Sequence, residues 1–383
     1  MTSGKLGASA LAALLVAHCA GMLDLVALPV WVGALVERFG FSPRNAGMLA
    51  TLFLLGAVVA SLLVAPRFHR LRPGVLSPVA FALSALAFAL AATRSDLGSL
   101  AVLHLLAGLC TGTALSAVHG TMGRTARPHR VFALAGVAIG ALGVVMLGVL
   151  PQIMIVAGGH ALFVAFALAM AAAAAATALA FPKPETLLAA QSHSLSGVGR
   201  GVWLIILGIS TMTLNQAMVF SFVEVIGKMR GYPTGQVLGV LIALGLVNFA
   251  LAAPLAVVLE HRIRAETVVR LGPAVQAVFA LVVTGSGVFP LWAPVAASFV
   301  AVQIFTHTFA FGLLARIEPT GRAVAATPAM LMSGAALGPI LGGALAEAFG
   351  YQALGYVAVV IALISVVLFS LGCADGRGRP VAA

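Results

Sequence analysis

Apolar residues run through this chain in long unbroken blocks, and polar residues gather in short gaps between them. Twelve such blocks are present, at roughly 8–33, 45–66, 74–92, 98–121, 131–154, 160–181, 201–226, 235–258, 267–286, 289–314, 324–347 and 352–372. Each is long enough to span about 30 Å of hydrocarbon, which takes roughly 20 residues as a helix rising about 1.5 Å per residue. A membrane barrel would alternate apolar and polar positions. These blocks do not alternate and are rich in Leu, Ala, Val and Gly. The pattern predicts an all-α integral membrane protein with twelve transmembrane helices. One long polar stretch, Pro182 to Arg200, lies at the midpoint. It divides the chain into an N-terminal six-helix bundle (1–181), a cytoplasmic linker (182–200) and a C-terminal six-helix bundle (201–383) with a short cytoplasmic tail.

Composition supports lipid as the solvent. The chain is 62% apolar and 8% charged, against about 25% charged in a soluble domain. The 42 Gly and 18 Pro residues fit, because bundled membrane helices tolerate both. A net charge of +11 would suit nucleic acid, but the basic residues are scattered through short loops, which excludes that partner. Their distribution instead orients the chain, because cytoplasmic loops carry the excess of Lys and Arg. With the N-terminus inside, the outer loops hold five basic residues, Arg38, Arg44, Arg94, Lys228 and Arg230; the other sixteen of the 21 lie inside. Both termini are then cytoplasmic, in an inner (plasma) membrane. Cys19, Cys110 and Cys373 all sit inside apolar runs, and nothing points to a disulfide. The first block, Leu6 to Val36, is too long for a signal-peptide core and is read as a retained helix.

A shift of 192 residues aligns the chain with itself. His69-Arg70-Leu71-Arg72 falls on His261-Arg262-Ile263-Arg264, Arg124 on Arg316 and Arg130 on Arg322. Gly47 and Gly120 fall on Gly239 and Gly312. Charges are scarce here, so one offset serving three charged sites points to two parallel six-helix halves. Such halves place a substrate site at their interface near the bilayer midplane.

These features resemble the major facilitator superfamily over nearly the whole chain. In the loop after the second span, that resemblance implies a basic signature with an aspartate at the helix end. Ala65-Pro66-Arg67-Phe68-His69-Arg70-Leu71-Arg72-Pro73 keeps the basic residues, with Arg67 where the aspartate is expected. In the second half Glu260 precedes His261-Arg262-Ile263-Arg264, so an acid survives there. The resemblance implies a charge lock involving Arg70, Arg72, Glu260, Arg262 and Arg264. In the fourth span His104 replaces the arginine of many members, followed by Gly108 and Gly112. Gly334 to Gly343 resembles the glycine-proline signature of proton-driven exporters, but in the eleventh span instead of the fifth. Close helix packing is the expected use of these glycines.

Ionisable groups inside lipid are costly and are functional candidates by default. Asp24 is the only acid deep in the first half, roughly 24 Å from the inner end of its span at 1.5 Å per residue. His104 lies about 10 Å from the outer end of the fourth span by the same rise. The two fall at similar depth and are expected to approach one another or share a water. Such a pair would take up and release a proton, with Glu224 near the outer end of the seventh span as a further proton-coupling candidate. Substrate-binding candidates are His18, Asn215, Gln216, Gln303 and His307. Under the 192-residue offset Gln216 falls on Asp24. His119, His69 and His261 are expected to be structural or solvated. His18 and Met22 form an i, i+4 pair beside Cys19, which suits a soft metal, but no second such pair is present and no resident metal is expected. No Gly-rich phosphate loop, His-Glu-x-x-His or paired-cysteine site appears, so neither an enzyme nor an ATP-driven pump is indicated. The expectation is a monomeric, proton-coupled secondary transporter of a small organic solute working by alternating access. It needs no cofactor and has membrane lipid and its substrate as partners. The alternatives are a metal or metal-complex importer or uniporter, and a transporter-like receptor or sensor.

Overall fold

A computed structural model describes residues 6–183, 199–259, 262–318 and 327–377. Among them, twelve helices are long and apolar enough to cross a membrane. They are α1 Ala8–Glu37, α2 Pro43–Val64, α3 Pro73–Ala91, α4 Leu97–Gly123, α5 Arg130–Ala157, α6 Ala161–Ala180, α7 Arg200–Met229, α8 Thr234–Ala256, α9 Ala265–Gly285, α10 Phe289–Ile317, α11 Met330–Phe349 and α12 Gln352–Asp375. The helices fall in the twelve apolar blocks, with ends shifted by a few residues. Residues 184–198, most of the expected linker, lie outside the described residues.

Contacts divide the chain into two units, residues 1–40 with 48–192, and residues 41–47 with 193–383. In the first, α3 packs on α4 and α6, and α1 packs on α4, α5 and α6. In the second, α7 packs on α11 and α12, and α9 packs on α10 and α12. Lipid tails are as apolar as leucine, so close backbone approach and interhelix hydrogen bonds hold such bundles. Small residues make the approach. A Cβ on Gly108 or Gly112 would strike the backbone of Phe53 or Ala57 on α2. Gly334, Gly338 and Gly342 form a matching stripe on α11 against Ser210, Ala217 and Met218 of α7.

The two units share a hydrogen-bond register. Ser84 on α3 bonds Thr111 on α4 at 2.8 Å. Exactly the counterpart positions, 192 residues on, are Gln276 and Gln303 on α9 and α10, bonded at 3.1 Å. At these positions the sequence offset is also a structural one.

The first helix of each unit is broken. In α1 the turn at Met22 (φ −110°, ψ 17°) separates Ala8–Gly21 from Leu23–Glu37. In α7 Phe222 (φ −111°, ψ 6°) precedes Val223–Met229. The segment after each break carries an acid as its second residue, Asp24 and Glu224. A carboxylate in a first helical turn faces the positive end of the helix dipole. The local counterpart of Asp24 is thus Glu224, and not the Gln216 that the 192-residue offset selects.

Candidate functional site

Asp24 lies near the middle of the 30-residue α1 and is 1% exposed. The helix break places its carboxyl group inside the span, where a permanent charge is costly.

The expected meeting of Asp24 and His104 does not occur. His104 is 0% exposed, and both ring nitrogens are taken. Its Nδ1 lies 2.6 Å from the Leu100 carbonyl oxygen, one turn back on α4. Its Nε2 accepts from Trp31 Nε1 at 3.3 Å. That arrangement requires the neutral Nδ1–H tautomer. Trp31, Phe88 and Phe163 box the ring, with centroids at 5.4, 6.3 and 5.4 Å. Trp31 is seven residues beyond Asp24, about 10 Å along the helix. His104 ties α1 to α4 through Trp31, and its two ring hydrogen bonds go to Trp31 and Leu100 instead of Asp24.

The histidine that α1 does bring to α4 is another one. His18 Nδ1 lies 2.9 Å from His119 Nε2, with ring centroids 5.1 Å apart. His18 is buried and His119 half-buried. Phe132 of α5 packs edge-on against His119, with centroids 5.7 Å apart. From the sequence, His18 is a substrate candidate and His119 is expected to be structural or solvated. Spacing along one helix carries no signal for a pairing across 101 residues.

In the second unit Glu224 is buried and bonded to Lys228, one turn on, at 2.6 Å. The ammonium compensates the carboxylate locally, so Glu224, the further proton-coupling candidate, stands in an ion pair. Asn215 is 0% exposed and donates to the Ala358 carbonyl of α12 at 3.2 Å. The bond ties α7 to α12, and Asn215 Oδ1 is buried with no hydrogen-bond partner among the described residues. Gln216, beside it, is half-buried. Gln303 joins a relay: Gln276 Nε2 donates to Gln303 Oε1 at 3.1 Å, and Gln303 Nε2 donates to Thr213 Oγ1 at 2.9 Å. The relay crosses α9, α10 and α7 and uses both ends of the Gln303 amide for packing. His307, one turn from Gln303, is half-buried and stacks on Phe311 at 4.9 Å and 20°. Its Nδ1 is buried and has no hydrogen-bond partner among the described residues. Gln276 went unnoticed in the sequence, though the 192-residue offset maps it onto a polar residue, Ser84.

The loop charges are only partly as expected. Residues Ala65–Arg70 form a 3₁₀ turn. Arg67 donates to the Leu63 carbonyl at 2.7 Å, a cation on the negative end of α2. Arg124 lies 5.9 Å over the Phe68 ring. Arg70, Arg72 and Arg262 are exposed. Glu260 lies outside the described residues. The acid shown to engage the second basic loop is Glu266, 3.9 Å from Arg264 and 3.2 Å from Arg316. Arg124 and Arg316 are 192 residues apart, so the duplicated arginine meets a ring in one unit and a carboxylate in the other.

Residues 13–320 match the sequence profile described as Major Facilitator Superfamily. Among solved structures, a bacterial homologue of the human lysosomal transporter Spinster, in its inward-facing and occupied conformation, is 13% identical with a TM-score of 0.75. The match covers 97% of this chain and 98% of that one. The nucleoside transporter NupG is 16% identical with a TM-score of 0.68, covering 96% and 98%. No curated protein matches in sequence.

Proposed function

Because the chain belongs to the Major Facilitator Superfamily, we propose that it is a proton-coupled secondary transporter of a small organic solute, working by alternating access. Transport by the solved relatives supports the class; at their identities it does not carry a substrate across. The observation that carries proton coupling is Asp24. It is a 1% exposed carboxyl group at a helix break within the span. A carboxyl group that is neutral in one access state and charged in the other binds a proton as the surroundings change from dry to wet.

The test uses proteoliposomes holding a pH-sensitive dye, challenged with a panel of metabolites that includes nucleosides, the substrate class named for NupG, and metal complexes. Solute addition is expected to move protons with the wild type. Asp24→Asn is expected to abolish uphill uptake while counterflow exchange survives. Solute accumulation with no proton movement would make the protein a uniporter or differently driven importer. Full uphill transport by Asp24→Asn would remove that residue from the coupling.

A further inference from the structure

We propose that His18 and His119 together form a one-proton site joining α1 to α4. Two imidazole nitrogens 2.9 Å apart need a hydrogen between them, so one ring donates and the other accepts. The donating ring is then bare at its far nitrogen, and the accepting ring carries its hydrogen there. The two tautomers are locked to each other. A hydronium ion arriving at the bare nitrogen gives up its proton and leaves as water. The central N–H···N bond then becomes charge-assisted and stronger. Release to a water at either far nitrogen restores the neutral pair, and release on the opposite side carries one proton across it. A second proton would put hydrogens on both facing nitrogens and two cations in contact, so the pair holds one.

The surroundings suit this role. Cys19 follows His18 on α1, and Asp24 lies beyond the break at Met22. On α4, Arg124 is more than a turn past His119 with its guanidinium over Phe68, and Cys110 is more than two turns before it. The α5 segment after Arg130 and all of α6 bear no ionisable residue. No carboxylate or cation is hydrogen-bonded to either ring among the described residues. The excess charge is therefore shared by the two imidazoles, and its arrival strengthens the tie between α1 and α4.

The site's use in transport rests on the proton-coupled reading; its chemistry does not. The test is nitrogen-15 NMR of the full chain, labelled at histidine, in nanodiscs of phosphatidylcholine and phosphatidylglycerol. The pH is lowered from about 8 to about 4, bracketing the ordinary imidazole value. A spin coupling across the central bond and uptake of one proton by the two rings together are expected. His18→Asn, which keeps an amide near the Nδ1 position, and His119→Gln, which keeps one near Nε2, should each remove that uptake. Two rings that stay neutral throughout, or that titrate separately, would overturn the site. Proton movement in the proteoliposome assay separates the readings: solute-driven proton flux without titration of the pair overturns this inference alone. A titrating pair in a protein that moves no protons with any solute supports the site and overturns the coupling.

Discussion

His104 shows how one residue type meets different partners along a single helix. It stands in an aromatic box with both nitrogens bonded, whereas His119, further along α4, meets a second histidine. Removing the acceptor at position 104 leaves the Trp31 N–H buried and unpaired, a loss of about 1–3 kcal/mol. His104→Leu is therefore expected to lower stability by that amount in thermal unfolding in detergent. His104→Gln, which offers an acceptor near the Nε2 position, should recover part of it and keep solute-driven proton movement. Loss of proton movement in a stable His104→Gln protein would return the residue to the coupling path. Asp24 and His104 both looked functional because polar side chains in lipid need a reason. That argument identifies a cost, but the partner that offsets it is decided by neighbouring helices.

At the scale of elements, glycines of identical appearance in the sequence do different work. Gly108 of α4 lies against the α2 backbone, while nothing stands within 4 Å of a Cβ built on Gly136 of α5. Gly108→Ala must push backbone against backbone and is expected to cost about 1–3 kcal/mol. Gly136→Ala relieves a flexible residue inside a helix and should be neutral or stabilising by about 0.5–1 kcal/mol. Melting temperatures of the two variants, measured side by side, check the contrast. The duplicated hydrogen bonds make a second comparison. Gln303 anchors two partners, Gln276 and Thr213, so Gln303→Leu is expected to cost about 0.5–2 kcal/mol. The helix breaks at Met22 and Phe222 bear on the same scale. Each starts a new segment inside a span, and an acid in its first turn meets the segment's dipole.

For the whole molecule, the unequal loop charges predict both termini on the cytoplasmic side. In a variant with Cys19, Cys110 and Cys373 replaced, Ser95→Cys should react with a membrane-impermeant maleimide in intact cells. Arg127→Cys should react only after lysis, and the reverse pattern would invert the topology. The number of spans, the twofold repeat and the polar midpoint were all legible in the chain. Lipid imposes them directly: a span needs its apolar length, and most of the scarce charges lie in the gaps between spans. Asp24 was legible for the same reason, as a charge where none is cheap. The partners were not. His18 meets His119 across 101 residues, His104 meets Trp31 across 73, and Glu266, with no special place in the sequence, holds Arg264 and Arg316. Helical periodicity fixes which side chains share a face, but not which faces meet. That is decided by ridge and groove packing, here set by small residues such as Gly108 and Gly112 that let backbones touch. The sequence alone determined a duplicated twelve-helix membrane protein with a costly acid in its first span. Only the tertiary structure decided which partners the buried histidines meet, Trp31 for His104 and His119 for His18.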